Sequence, residues 1–464
     1  MDDGEPDFSQ ATQSFLGWLK QGGSIISTKI ALEDLRYQNA GRGVVAVQDI
    51  DEDEDLFSIP RTQVLSVKNS SLMGGLKTRL ENPWESLILV MIYEFHQREK
   101  SPWAPYFPLM PERFDTLIFW SQEELNHLKG SAVLHKIGKT DADKAFRERI
   151  LPILKEYSDI FQTMGLTDEE LLTLCHRMGS IIMAYAFDLE KQDAYNFDLE
   201  KLAAGPSKDT ADGWEEDEEG SEILPKGMIP MADMLNADGD RNNARLFYEG
   251  DRVVMKSIKQ ITAGEEIFND YGPIPTSDLL RRYGYTTPNY AQYDVVEIPS
   301  GVITDTAQEQ LNLSDTACFE RTKYLEEQDM LHDEYDIYRA SDEEGQFPEE
   351  LCILVNTLAL PKSAFDEMKR KEKLPKAAFS TEAAQLLSKV IELRMADYHS
   401  DPPQNVGDQR RWAMAQQVVN GEKQVLREAA QILNRMLQPH RNKRMGEAFE
   451  KDGSKGAKKA KADS

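Results

Sequence analysis

Apolar residues along this chain change period repeatedly, and each change marks a new element. Phe8, Phe15, Trp18 and Leu19 share one side of an opening amphipathic helix that Gly22-Gly23 stops. Alternation then takes over. Ile26, Thr28, Ile30 and Leu32 line one face, while Val44-Val45-Ala46-Val47 and Leu56-Phe57-Ser58-Ile59 read as short strands between acidic turns. Helical spacing returns behind Asn82-Pro83-Trp84-Glu85, where Asn caps, Pro takes the first position and Glu is placed to bond back to the cap. Trp84, Leu87, Ile88, Met91, Ile92 and Phe95 follow on one face. Thr167-Asp168-Glu169-Glu170 starts another helix, with Leu171, Leu174, Met178, Ile182 and Tyr185 inward. Between about 200 and 222 apolar residues thin out, which predicts an exposed acidic loop.

Strand patterns reappear at Arg245-Leu246-Phe247-Tyr248, Arg252-Val253-Val254-Met255 and Glu266-Ile267-Phe268. Beyond about 292 the pattern is helical. Ser380 caps a helix carrying Leu386, Leu387, Val390, Ile391 and Met395, and a last helix presents Val418, Val425, Leu426, Ala429, Ile432, Leu433 and Met436. Pro439 is expected to end it, leaving a basic tail too polar to fold alone. Strands, inserted helices, strands and a helical end make an α+β chain, without the strand-helix alternation of a doubly wound sheet.

Composition narrows the class. With 464 residues, 40% of them hydrophobic, the chain can build more than one core. No apolar run reaches the roughly 18–20 residues of a membrane helix, and the start, Met1-Asp2-Asp3-Gly4-Glu5, is acidic, so a soluble intracellular protein with no membrane partner is expected. Three scattered cysteines and seven scattered histidines offer no metal-ligand spacing, and no metal site is assigned. The net charge of −27 disfavours direct nucleic-acid contact and suits either solubility or a basic protein partner.

The candidate chemistry lies in three separated runs: Asn39-Ala40-Gly41-Arg42-Gly43, Met231-Ala232-Asp233-Met234-Leu235-Asn236, and Ala263-Gly264-Glu265-Glu266-Ile267-Phe268-Asn269-Asp270-Tyr271-Gly272 followed by Tyr283-Gly284-Tyr285. Gly41-Arg42-Gly43 lacks the third glycine and following helix of a dinucleotide site. Alone it is a tight turn, or a place where backbone can press on a ligand. Taken together, with Trp103-x-x-Tyr106-Phe107-x-x-Met110-Pro111 and Met183-Ala184-Tyr185-Ala186-Phe187, these runs resemble the SET-domain lysine methyltransferases. The likeness is to the Rubisco-methyltransferase-like branch, and within it to the fungal ribosomal lysine methyltransferases, whose substrate is a large-subunit ribosomal protein.

The resemblance implies a SET domain of short β-clip sheets, split by an inserted helical subdomain, and an all-α C-terminal domain. The segments would be an N-terminal helix at 1–23, SET parts at 24–70 and 223–291, the insert at 71–222, a substrate-binding helical domain at 292–438 and a disordered basic tail at 439–464. It also implies S-adenosyl-L-methionine as cofactor. Ala40, Gly41 and Arg42 would hold its methionine portion with Tyr185. Asn236 would bind the amino group, helped by the backbone of Ala237, where the family usually has His. Tyr271 would be catalytic, Tyr283 would border cofactor and lysine, and Tyr285 would close the cofactor pocket. Trp120, Phe187 and Asp233 would line the lysine approach.

Such a tyrosine-rich site suits the reaction. Methyl transfer is an in-line displacement that needs positioning and desolvation. A lysine with a pKa near 10.4 must shed its proton, at about 4.6 kcal/mol at pH 7, and an apolar site lowers that cost. Tyr285, where the branch often has Phe, adds a hydroxyl that would favour single methylation. A basic substrate, a ribosomal protein by resemblance, fits the acidic chain. Histone lysine and protein histidine remain alternative acceptors, and a non-catalytic SET scaffold is the reading from another class. The Arg441-Asn442-Lys443-Arg444 to Lys461 run reads as a nuclear import signal or a solvated tail, which gives a nuclear, or also cytoplasmic, location as the expectation.

Overall fold

The computed structural model describes residues 8–38, 41–77, 79–80, 82–189, 224–340, 345–398 and 407–459, without the side chains at 38, 77 and 439–459. The acidic loop expected at about 200–222 and residue Ala40 lie outside them. The chain forms two compact units. One comprises Met1–Trp120, His135–Ile274 and Asp278–Tyr290; the other comprises Ser121–Leu134, Pro275–Ser277 and Ala291–Ser464.

The first unit is built on short strands: β1 (Ile25–Ile26), β2 (Ile30–Asp34), β3 (Arg42–Ala46), β4 (Asp55–Pro60), β5 (Leu65–Ser66), β6 (Ala186–Asp188), β7 (Lys226–Met228), β8 (Ala244–Glu249), β9 (Arg252–Ser257) and β10 (Glu266–Ile267). They form three antiparallel sheets, in the orders β1-β4-β9-β8, β10-β3-β2 and β5-β7-β6. Strands far apart in sequence therefore meet. Glu266 pairs with Val45, and Phe187 pairs with Gly227. The opening helix, Phe8–Gln21, buries Phe15 and Leu19 against this unit's core, as its periodicity predicts.

The helix Pro83–Gln97 starts on Asn82, whose side chain accepts from the Trp84 and Glu85 amides. Glu85 does not bond back to the cap. It is buried and pairs with Arg149 at 2.6 Å, because a carboxylate sealed from water must find a cation before it can serve a cap. Thr167 and Glu170 do form the reciprocal box that starts Asp168–Tyr185. That helix stops at Tyr185, and the next residue is already extended, so Tyr185 and Phe187 leave the helix–strand junction in sequence.

The second unit departs from an all-α reading. Strands β11 (Val295–Pro299) and β12 (Glu334–Tyr338) form an antiparallel pair, with Val296 and Ile298 buried on one strand and Tyr335 and Ile337 on the other. Alternating burial in five-residue runs is strand behaviour, which the surrounding helices obscured. Residues 121–134, expected within the insert, belong to this unit: Ser131 Oγ donates to Glu422 at 2.6 Å, and Arg411 pairs with Glu124. The last helix runs from Gln409 to Lys459 and does not stop at Pro439. Proline removes one amide hydrogen bond without ending the helix.

Candidate active site

Two clusters in the first unit contain most of the residues expected to carry chemistry. The first forms where β3 and β10 lie side by side. Asn236 follows a short turn at Ala232–Met234, and its amide Nδ2 donates to the Arg42 carbonyl at 3.2 Å and to Glu266 Oε1 at 2.7 Å. Both of the amide's hydrogens are thereby used, and Oδ1 makes no hydrogen bond among the described residues. Arg42 contributes backbone only; its guanidinium lies over the Phe8 ring, 3.9 Å from the centroid.

The two glycines of the turn serve different ends. Gly41 has φ +66°, and a Cβ there would meet nothing within 4 Å, so the position is left-handed and open on its side-chain face. A Cβ on Gly43 would come within 2.4 Å of Leu35, 2.7 Å of Glu266 Oε1 and 3.1 Å of Asn236 Nδ2. Gly43 makes room for the protein's own amide–carboxylate pair, not for a ligand.

Ala237 is fixed through its neighbours. The Asn269 amide donates to the Asn236 carbonyl at 2.9 Å, and the Asp238 amide donates to the Asn269 carbonyl at 3.0 Å. In such a parallel bridge the central residue's own N–H and C=O face the other way, and those of Ala237 have no partner among the described residues. Backbone contacts to a ligand need no side chain there, so Ala in place of the usual His leaves them intact. Asn243 supports the same region, accepting from the Phe268 amide and donating to the Glu266 carbonyl.

The second cluster is aromatic. Tyr271 and Tyr283 stack with ring centroids 3.9 Å apart and planes 7° from parallel. Tyr285, Tyr185 and Tyr290 surround them closely enough to disfavour a charge on Tyr271. Burial is the larger cause, and it raises the Tyr271 hydroxyl well above its ordinary pKa. Burial likewise pushes Tyr283 and Tyr185 up to about 12 and raises Tyr285. These hydroxyls stay protonated at any physiological pH and can orient a group, but not remove its proton as phenolates.

Tyr185 also borders the deepest part of the site. Tyr106 donates to Asp233 Oδ2, and Tyr185 lies close enough to both for their charges to be felt. Phe15 and Trp18 stack on Tyr106, with centroids 5.7 and 6.2 Å away, and fix its ring. Asp233 Oδ1 is sealed and has no partner among the described residues. Burial pushes the Asp233 carboxyl up to about 7 against the lowering effects of the Tyr106 bond and of the Asp233 and Met231 backbone amides. Met231, buried just before it, holds φ +78°, a conformation costly for a residue with a side chain.

Of the remaining expected residues, Trp120 is buried and its indole donates to the Asp115 carbonyl at 2.8 Å. A Cβ on Gly284 would strike the Asp115–Thr116 backbone at 2.9–3.3 Å, which puts that segment against the link between Tyr283 and Tyr285. Phe187 is half-buried on β6 and packs on the core. Tyr106 and Glu266 carry no role in the sequence reading, although both stand inside quoted motifs. Their partners lie 127 and 30 positions away.

The SET domain family profile matches residues 41–272. Over 375 residues the chain is 36% identical to ribosomal lysine N-methyltransferase 4 of Saccharomyces cerevisiae, covering 76% of this chain and 72% of that one. The chain is a SET-domain protein-lysine methyltransferase. It is also 29% identical to mouse N-lysine methyltransferase SETD6 over 384 residues, 79% of this chain and 74% of that one. The methyltransferase shares its fold with the SET domain of LSMT bound to lysine and AdoHcy, with a TM-score of 0.62 at 20% identity over 93% of this chain and 92% of that one. Rubisco LSMT bound to AdoMet gives 0.63 at 20% identity over 92% of each. S-adenosylmethionine is accordingly the cofactor of this methyltransferase. The first cluster fits it, since an amide oxygen with no partner among the described residues can accept from an ammonium, and the Gly41 backbone nearby carries no side chain to obstruct a ligand. A purely scaffolding SET domain is set aside. Among the described residues no group of His, Cys, Asp or Glu could hold a metal ion, and no helix is long and apolar enough to cross a membrane.

Proposed function

We propose that this enzyme monomethylates a lysine in a large-subunit ribosomal protein. The observation that carries the catalytic part is the cluster of neutral tyrosines near a carboxyl oxygen with no partner among the described residues. An ammonium arriving beside the Asp233 carboxyl gains an acceptor, and the tyrosine walls then favour its neutral form for attack. Asp233, Phe187 and Trp120 border the lysine. Tyr271, held against Tyr283, would orient the lysine amine with a hydroxyl that stays protonated. Tyr185, Tyr283 and Tyr285 would enclose the cofactor, and the backbone of residues 41 and 42, Asn236 Oδ1 and the Ala237 backbone would hold its methionine end. When bound, S-adenosylmethionine supplies the methyl group on a positive sulfonium. The tyrosine hydroxyls stay neutral and cannot take the lysine proton, which leaves to solvent before the transfer.

Support for the acceptor comes from the yeast relative's name, which specifies a ribosomal lysine, and from the charge of −27, which suits a basic substrate. The Tyr285 hydroxyl narrows the space left for a second methyl. The test is incubation of purified enzyme and labelled cofactor with ribosomal subunits from cells lacking the enzyme, read by intact mass. A single addition of one methyl to one large-subunit protein is expected. Label confined to small-subunit proteins, to histones or to a histidine would refute the assignment. The basic run near the C-terminus supports a nuclear location, and a tagged chain truncated before Arg441 that stays nuclear would refute that part.

A further inference from the structure

We infer that Glu266 is a positioning residue for the cofactor, fixing the Asn236 amide so that its oxygen, and not its nitrogen, faces the bound amino group. This rests on the assignment of Asn236 to that group. An asparagine amide has nearly the same shape either way round, so its orientation follows from its neighbours. Asn236 has two, a backbone carbonyl from Arg42 and the Glu266 carboxylate. Both accept hydrogen bonds. Turning the amide over would set its oxygen against two acceptors, so the nitrogen must point inward and the oxygen outward.

Of the two neighbours, Glu266 is the stronger. Its contact is 2.7 Å against 3.2 Å for the carbonyl, and a bond to an ionised acceptor is about twice as strong as one between neutral groups. The carboxylate is also held. Its backbone pairs with Val45, its carbonyl accepts from Asn243 Nδ2 at 2.9 Å, and Oε1 lies against the bare Cα of Gly43. Burial raises the Glu266 carboxyl above its ordinary range; the Asn236 hydrogen bond and Arg241 favour the ionised form, and Asp238 opposes it. Without Glu266 the amide can rotate and present N–H to an ammonium, a mismatch of two donors. The cost falls only on ligands that carry the amino acid portion.

The experiment is calorimetric titration with S-adenosylhomocysteine and with 5′-methylthioadenosine, which lacks that portion. Glu266→Met should weaken the first ligand about tenfold to a hundredfold, the worth of one hydrogen bond to a charged group, and leave the second within about twofold. Glu266→Gln, whose amide oxygen can still accept, should recover most of the loss. Asn236→Ala alone and combined with Glu266→Met should weaken S-adenosylhomocysteine equally, because the two act through one contact. Equal weakening of both ligands by Glu266→Met, or weakening of neither, overturns the inference. If Asn236→Ala leaves S-adenosylhomocysteine binding unchanged, the assignment of Asn236 fails, and this inference with it. Should Glu266→Met not fold, Asn236→Asp and Asn236→Asp/Glu266→Gln decide: the single change sets two carboxylates together, and the second must restore S-adenosylhomocysteine affinity at least fivefold over the single variant. No restoration overturns the inference.

Discussion

Replacing Asp233 by Asn should make the enzyme more stable above pH 7 while making it a poorer catalyst. The Asp233 carboxyl sits on a tight turn, bonded at Oδ2 by Tyr106 and sealed without a partner at Oδ1 among the described residues. Burial raises its pKa from 3.8 to about 7. A folded-state pKa above the unfolded value means that the folded chain holds a proton which the unfolded chain releases. Stability from this group is therefore full below pH 4, declines as pH rises from about 4 to about 7, and stays low beyond that. About three pKa units correspond to about 4 kcal/mol of destabilisation at pH 8. Asn never carries the charge, but it leaves a buried N–H without an acceptor, which costs about 1–3 kcal/mol. The net gain for Asp233→Asn is then about 1–3 kcal/mol at pH 8, and near pH 4, where the charge penalty is lost and the N–H cost remains, the variant is the less stable by about 1–3 kcal/mol.

The assay is thermal melting of both proteins across pH 4–8, with the difference between them as the readout, so that every other titrating group cancels. At roughly 2 °C per kcal/mol for a domain of this size, Asp233→Asn should melt a few degrees higher at pH 8. In parallel, kcat/KM for the protein substrate should fall at least tenfold, because the lysine loses its charged acceptor. A melting difference that does not change between pH 4 and pH 8 would show that the carboxyl is not held against its charge. Unchanged kcat/KM would remove Asp233 from the lysine path.

Tyr271→Phe should lower turnover by about a hundredfold or more, the usual worth of one preorganised donor at a reacting centre, with S-adenosylhomocysteine affinity within about threefold by calorimetry; turnover near the parent value would take the catalytic role from Tyr271. Because burial raises this hydroxyl well above its normal range, the pH–rate profile of the parent enzyme should show no tyrosine ionisation between pH 6 and pH 9. An alkaline limb in that window that disappears in the Tyr271→Phe variant would contradict the neutral-hydroxyl account. Tyr285→Phe should let dimethylated product accumulate, seen as a second mass step, and a product that stays monomethylated would reject the steric reading. Gly43→Ala should cost about 1–3 kcal/mol and weaken cofactor binding, since its methyl meets Glu266 and Asn236, whereas Gly41→Ala meets no atom and should cost only about 1–2 kcal/mol of left-handed strain; equal effects on cofactor affinity would remove the distinction between them.

The fold was legible wherever one face of an element sees the core. The helix from Phe8, the capping box at Thr167 and strands β2 to β4 follow from periods of 3.6 and 2. It was illegible where two forces compete. Glu85 suits a cap by position, but burial gives it to Arg149, and β11 and β12 are too short to stand out among helices. For the site, the expected residues are largely assembled: Asn236 meets the Arg42 backbone, and Tyr271 meets Tyr283. What spacing could not show is which residues set their state. Tyr106 holds Asp233 across 127 positions, and Glu266 holds Asn236 across 30. Such partners are chosen by the meeting of strands and turns, not by any local pattern.

Those two supporting partners divide the chemistry between them. Glu266 keeps a half-buried carboxylate beside an amide, where a fixed dipole can recognise a permanent ammonium. Tyr106 keeps a partly buried carboxyl near neutrality, where an arriving lysine can be held and still give up its proton. A strongly ionised acceptor at Asp233 would favour the ammonium and oppose the attack; an apolar residue would leave nothing to draw the lysine in. A carboxyl that titrates near pH 7 lies between these extremes. On this reasoning Tyr106→Phe, which removes the donor and raises the carboxyl further, should shift the rise of kcat/KM with pH to higher pH, and an unshifted profile would uncouple the pair from catalysis.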